Sequence, residues 1–184
     1  MKKILTACAI AAAALTAAPA FAQGYVGLGV GSSKNSGFDT ATVTGGNTNK
    51  SQVKIFGGAQ FTPNWGAELQ YSDLGKRDVI NAGVAAGSFT TSQFSIAGTG
   101  TLPLNSGFSL LGKLGVSANR INGSALLSNS NKTSTLIGVG ASFSITPALS
   151  VRVEYEDFGK VATVAANGSS VRVNAYSISL KYAF

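Results

Sequence analysis

Asp73 and Asp157 hold the same place in two copies of one unit, FTPNWGAELQYSDLGK (61–76) and ITPALSVRVEYEDFGK (145–160), set 84 residues apart. Two carboxylates repeated in this way could be imagined as a general acid and base. Asp also bonds readily to nearby backbone at turns, so a turn-forming or rim-solvating role is the favoured reading. The chain has no histidine, and its one cysteine is Cys8, so the usual base and nucleophile pairs cannot be built. The charges left to consider are Lys54, Glu68, Lys113, Arg152, Glu154 and Lys181. No catalytic residue, metal site or cofactor is expected, and the protein is not expected to be an enzyme.

These six charges lie near the middles of segments with a period of two, the signature of strands. Val26, Leu28 and Val30 alternate with glycines; Val53 and Ile55 alternate with Gln52 and Lys54, with Phe61 closing that run on the apolar side. Trp65, Ala67, Leu69 and Tyr71 oppose Glu68, Gln70 and Ser72, and Phe94 and Ile96 oppose Gln93, Ser95 and Ala97. The second half continues with runs around 108–117, 137–145, 149–156 and 176–184. Eight strands result, and no segment has convincing helical periodicity.

The first residues require separate treatment. In MKKILTACAIAAAALTAAPAFAQ a charged start, a short apolar stretch and Ala20-Phe21-Ala22 form a signal peptide with an A-x-A cleavage site. The expected division is 1–22 signal peptide and 23–184 barrel domain. Leu5-Thr6-Ala7-Cys8 has the form of a lipoprotein box, but only Ile4 and Leu5 precede it as a hydrophobic region, too few to engage export. Without Lys2 and Lys3 the basic residues fall from 14 to 12 against 7 acidic ones. The mature chain then carries no cysteine, so neither a disulfide nor a thiolate metal site is expected.

Three connections are tight and carry proline, at 62–64, 102–107 and 146–148. Four are longer and polar, near 34–51, 76–87, 120–131 and 160–170. Their alternation puts every long loop at one end of an up-and-down meander. Charges at strand middles and aromatics near strand ends then indicate a lipid-facing exterior and a polar lumen. Phe61, Trp65, Tyr71, Tyr155, Tyr182 and Phe184 are the candidate aromatic girdle. The expected fold is an all-β, eight-stranded antiparallel up-and-down transmembrane barrel with short periplasmic turns and long extracellular loops. Lipid cannot satisfy an open sheet edge, so closure is required. A soluble barrel with an apolar cavity is the competing arrangement, because alternation alone does not say which face is inside.

The signal peptide, the first strand YVGLGVG (25–31), the two TP…Y-x-D-[LF]-G-K units and the last strand AYSISLKYAF (175–184) together resemble the small outer-membrane barrels of Gram-negative bacteria, the OmpA-type transmembrane domain. Tyr176, Ile178, Leu180, Tyr182 and Phe184 resemble the signal read by the barrel assembly machinery. The resemblance covers nearly the whole mature chain, but no peptidoglycan-binding domain is expected after the barrel. It implies a lumen filled by a salt-bridge network of Lys54, Glu68, Lys113, Arg152, Glu154 and Lys181. Those charges either rigidify the barrel or form a gate that admits small ions.

Smaller signals are assigned bland roles. Gly27-Leu28-Gly29-Val30-Gly31 lies within a strand and opens no helix, so it is not a nucleotide loop. Three Asn-x-Ser/Thr triplets, at 122–124, 131–133 and 167–169, are read as loop chemistry. Lys34, Lys50, Lys76, Arg77, Arg120, Lys132, Lys160 and Arg172 lie in or beside the long loops, where they either meet lipopolysaccharide phosphates or form a solvated loop surface. Nucleic acid is not expected. A monomer in the outer membrane is expected, with a structural or surface role in membrane integrity, adhesion or host contact; the alternative is a small-solute or ion pore.

Overall fold

The computed structural model describes residues 23–36, 49–81, 84–105, 107–123, 130–163 and 170–184. The expected signal peptide lies outside them. Eight strands follow in chain order: β1 (Gln23–Ser36), β2 (Asn49–Gln60), β3 (Trp65–Asn81), β4 (Val84–Pro103), β5 (Phe108–Gly123), β6 (Ser130–Ser144), β7 (Leu149–Thr163) and β8 (Ser170–Ala183). Each pairs antiparallel with its neighbours, and β1 pairs with β8, so the sheet closes into a barrel with no free edge. None of the described helices is long and apolar enough to cross a membrane, a statement that leaves strand crossing untouched.

The exposure pattern is inverted relative to a protein that packs an apolar core in water. Lys54 is 0 % exposed, whereas Leu114, one position beyond Lys113, is 65 % exposed. Leu28, Ile55, Ile96, Val139, Val153 and Ile178 are exposed likewise, on strands distributed around the barrel. An apolar band of that extent is what a lipid environment requires and water does not tolerate. The soluble-barrel arrangement is thereby overturned: the polar faces point inward.

The tight turns are built alike where the sequence repeats. Thr62 Oγ1 accepts from the Trp65 amide at 2.9 Å, and Thr146 Oγ1 accepts from the Leu149 amide at 2.9 Å. Both threonines precede a proline whose fixed φ suits the first corner of a turn. In the third turn, the amide of Leu104 donates to the Phe108 carbonyl at 2.9 Å, and Gly107 adopts φ 82, a left-handed conformation that favours glycine.

The opposite end differs from the expectation. Residues 76–81 and 84–87 belong to β3 and β4, so most of the expected loop at 76–87 is strand. Part of each other expected loop is also strand, since β1 reaches Ser36, β5 runs to Gly123 and β7 to Thr163. A membrane crossing takes about 9–11 tilted residues, and the 17 and 20 residues of β3 and β4 exceed it, so that hairpin extends past the bilayer. Polar composition suggested loops there, but polar strands above the lipid need no apolar face.

The repeated D-[LF]-G-K segments do not begin loops; they write a bulge into a continuing strand. The register between β3 and β4 shifts between Asp73 and Lys76, and that between β7 and β8 between Asp157 and Lys160. Gly159 takes φ 63, and its amide donates to Asp157 Oδ1 at 2.7 Å. Leu74 and Phe158 continue the inward alternation of Glu68, Gln70 and Ser72 and of Arg152, Glu154 and Glu156, and are fully buried inside the barrel where each bulge begins.

Candidate functional site

The lumen is the only candidate site that the six charges define, and the repeat explains how it is filled. In an eight-stranded closed order β3 and β7 stand on opposite walls. Residues 84 apart in the two units therefore face each other at similar heights. Glu68 in one copy corresponds to Arg152 in the other. Arg152 Nη1 and Nη2 both donate to Glu68 Oε2 at 2.9 Å, and Nη2 also reaches Glu154 Oε1 at 3.0 Å.

Two lysines complete the layer from other walls. Lys113 Nζ, from β5, lies 2.6 Å from Glu68, 2.7 Å from Glu154 and 3.1 Å from Glu156, and donates to Gln70 Oε1 at 3.1 Å. Lys54 Nζ, from β2, lies 2.5 Å from Glu154 and 3.2 Å from Glu156. Three cations thus meet three carboxylates with no net charge, all essentially excluded from solvent. Removing one partner from such a set leaves an uncompensated buried charge, which is costly.

Two residues outside the sequence expectation belong to this layer. Glu156 is absent from the expected network; its position two residues beyond Glu154 on a strand is the signal that identifies it. Phe56 turns inward from β2, and its ring centroid lies 4.7 Å from the Arg152 guanidinium carbon, 5.6 Å from Lys54 Nζ and 5.8 Å from Lys113 Nζ. A ring face at those distances attracts each cation. Gly27 makes room for it: a Cβ there would fall 2.1 Å from Phe56 Cζ. Tyr25 closes the layer below by donating from its hydroxyl to Glu68 Oε2 at 3.1 Å.

Lys181 does not join the network. It is half-buried at the periplasmic end, its Nζ 5.1 Å from the Tyr25 ring centroid, and among the described residues it has no carboxylate within 4.0 Å. One turn-side position on β8 is too far toward the mouth to reach the central carboxylates. On the extracellular side of the charges lies an apolar layer that includes Leu74, Leu136, Phe158, Val173 and Ala175, all buried. Ion pairs and hydrocarbon thus fill successive levels of the described lumen.

The remaining candidates lie elsewhere. Asp73 and Asp157 occupy opposite walls and face away from the lumen, so they form no carboxylate pair. Trp65, Tyr71, Tyr182 and Phe184 are exposed on the outer face, Phe61 is exposed in the turn and also lines the mouth of the lumen, and Tyr155 is half-buried against Tyr176, ring centroids 4.9 Å apart. Tyr176, Ile178, Leu180, Tyr182 and Phe184 all point outward from the last strand. Lys34, Arg120 and Arg172 are exposed toward the extracellular end and Lys132 is half-buried; the side chains of Lys50, Lys76, Arg77 and Lys160 lie outside the described set.

Comparison with known proteins accords with this geometry. The model of the OmpA-like transmembrane domain matches residues 19–184. Among solved structures, the chain is similar to Neisserial surface protein A, with a TM-score of 0.62 and 20 % identity over 88 % of this chain and 97 % of that one. It is also similar to the outer membrane protein OprG from Pseudomonas aeruginosa (0.64, 14 % identity, 90 % and 96 % covered). A third is Ail, the attachment invasion locus protein of Yersinia pestis, solved in complex with the heparin analogue sucrose octasulfate (0.59, 16 % identity, 89 % and 99 % covered). At these identities the structural likeness speaks for the fold. No curated protein matches.

Proposed function

Because the chain belongs to the OmpA-like transmembrane domain family, we propose that it is a closed outer-membrane barrel whose work is structural and surface-directed. The observation that supports this reading is the filled lumen, with six mutually paired charges beneath an apolar layer. An eight-stranded barrel has room for side chains and little else. The interior then serves as a rigid filling, and contact with the surroundings falls to the extracellular rim.

That rim carries exposed cations at Lys34, Arg120 and Arg172. Phosphates of lipopolysaccharide are the partners they suit, through attraction between basic residues and anionic headgroups. Ail, a structural neighbour, has been solved with a polyanionic sugar, which supports an anionic partner at this surface, whether lipid or host glycan. The outward alternation of Tyr176, Ile178, Leu180, Tyr182 and Phe184 supports their reading as the signal for barrel assembly. A monomer suffices for every part of this proposal.

A second reading, a small-ion pore, draws on one observation. Gln52 and Gln93 are buried in the lumen, and neither side chain has a hydrogen-bonding partner among the described residues. Such amides offer polar surface to water or an ion. Single-channel conductance of the refolded mature protein separates the two, with folding checked by a mobility shift between boiled and unboiled gel samples. Silence in wild type and Glu68→Ala supports the closed scaffold. Reproducible steps that change with Glu68→Ala would overturn it in favour of the pore.

A further inference from the structure

The periplasmic end of the lumen is open where the rest is sealed. Below the charged layer lies a cavity of about 480 Å³, walled by hydroxyl-bearing residues such as Thr99, Thr101, Ser142 and Ser144, with Arg152 and Lys181 also in its lining. Among the described residues no Asp or Glu lines it. Volumes of this order are those of small-molecule sites, roughly 300–1,000 Å³.

Its charge balance differs from that of the layer above. The central six charges neutralise one another, but Lys181 stands outside them with no carboxylate within reach among the described residues. Arg152 is 3 % exposed, and its Nε has no hydrogen-bonding partner among the described residues although both Nη atoms are engaged. Two cationic side chains thus border one polar cavity that has hydroxyls to donate and no anion of its own. Low-dielectric walls around such a cleft concentrate its positive field.

We propose that this vestibule binds a small oxyanion, a phosphate or carboxylate group entering from the periplasmic side, between Lys181 and the hydroxyl wall. Lys181 supplies the charge, and Ser and Thr hydroxyls rotate to donate to the anion's oxygens. Tyr25, held by Glu68, fixes the position of the ammonium through its ring. The site ends blindly at the Arg152–Glu68 pair, so it retains an anion without passing it on. That last feature rests on the closed lumen; binding itself does not.

The test is a titration of the refolded protein in uncharged maltoside micelles with inorganic phosphate at constant ionic strength, following amide resonances of Thr99, Thr101, Ser142 and Ser144 by NMR. Saturable shifts are expected, weakened about tenfold or more by Lys181→Met and preserved by Lys181→Arg. Acetate should compete. The heat-dependent gel shift of both variants verifies folding, and because no conduction is measured, a pore would not imitate the result. Shifts that never saturate, or that are identical in Lys181→Met, would overturn the proposal. A second arm compares nanodiscs of phosphatidylcholine with nanodiscs containing phosphatidylglycerol. Perturbation by phosphatidylglycerol alone, with none by phosphate, would assign the site to a lipid headgroup and overturn the soluble anion.

Discussion

Replacing Lys113 by Met removes the cation that touches all three lumen carboxylates while keeping an unbranched side chain of similar reach. Each contact, at 2.6, 2.7 and 3.1 Å, amounts to ~5–6 kcal/mol of attraction at an effective dielectric of about 20. Desolvation of several kcal/mol per ion offsets much of that sum. Every carboxylate also keeps a second cation: Arg152 for Glu68, Lys54 and Arg152 for Glu154, Lys54 for Glu156. The expected loss of stability is therefore about 3 kcal/mol, the lower end of the range for breaking a buried pair. Urea unfolding in lipid vesicles, followed by the boiled-versus-unboiled gel shift, measures it. Adding Glu156→Gln to Lys113→Met restores neutrality and should recover at least half of the loss. A single variant within 1 kcal/mol of wild type, or a double variant less stable than the single, would refute the argument that charge balance governs the lumen.

Other consequences follow from positions where the wall is tight or specific. Gly27→Ala should cost roughly 1–3 kcal/mol by overpacking, since the new Cβ meets Phe56; Phe56→Leu in the same chain should recover only part, because the Leu180 carbonyl also lies 2.7 Å from that Cβ. A Gly27→Ala protein as stable as its parent in urea would refute the close fit. Gly159→Ala should lower the unfolding midpoint by the equivalent of about 1–2 kcal/mol, the penalty for a side chain at positive φ, and no change would remove the case for a bulge fixed by glycine. Trp65, the single tryptophan, is exposed beside a periplasmic turn. Its fluorescence should be quenched more by lipids brominated near the headgroup than by those brominated near the chain ends; the reverse order would displace the girdle.

Much of this fold was legible because lipid and lumen impose opposite demands on alternate residues. Along β5, Leu114 and Val116 face lipid while Lys113 and Ser117 face inward, and a period of two records both at once. The specific pairing Glu68–Arg152 was not assigned from the sequence; it follows once β3 and β7 are known to stand on opposite walls, where equal offsets in the two units come to similar heights. Phe56 was not legible, because Ile55 and Phe56 are adjacent apolar residues and parity alone sends one of them into a polar lumen. What makes that placement favourable is the missing side chain at Gly27, on the neighbouring strand and far away in sequence. Lys181 was misassigned to the network for a related reason: facing inward fixes its side of the wall but not its height along the lumen.

Height along the lumen also gives the interior its logic. On the outer face, apolar residues gain little from contact with one another, because lipid tails are as apolar as they are. The lumen must supply specific cohesion, and paired charges do so across a space that β-branched residues would leave half-filled or overfilled. The two repeated units place the largest demands opposite each other: Glu68 against Arg152 in the charged layer, and Leu74 with Phe158 in the apolar layer above it. A mutation that frees one charge still leaves hydrocarbon between it and the outside, so loss of an ion pair need not open a path. Ion pairing and hydrocarbon packing are in this way assigned to different layers of the same repeat.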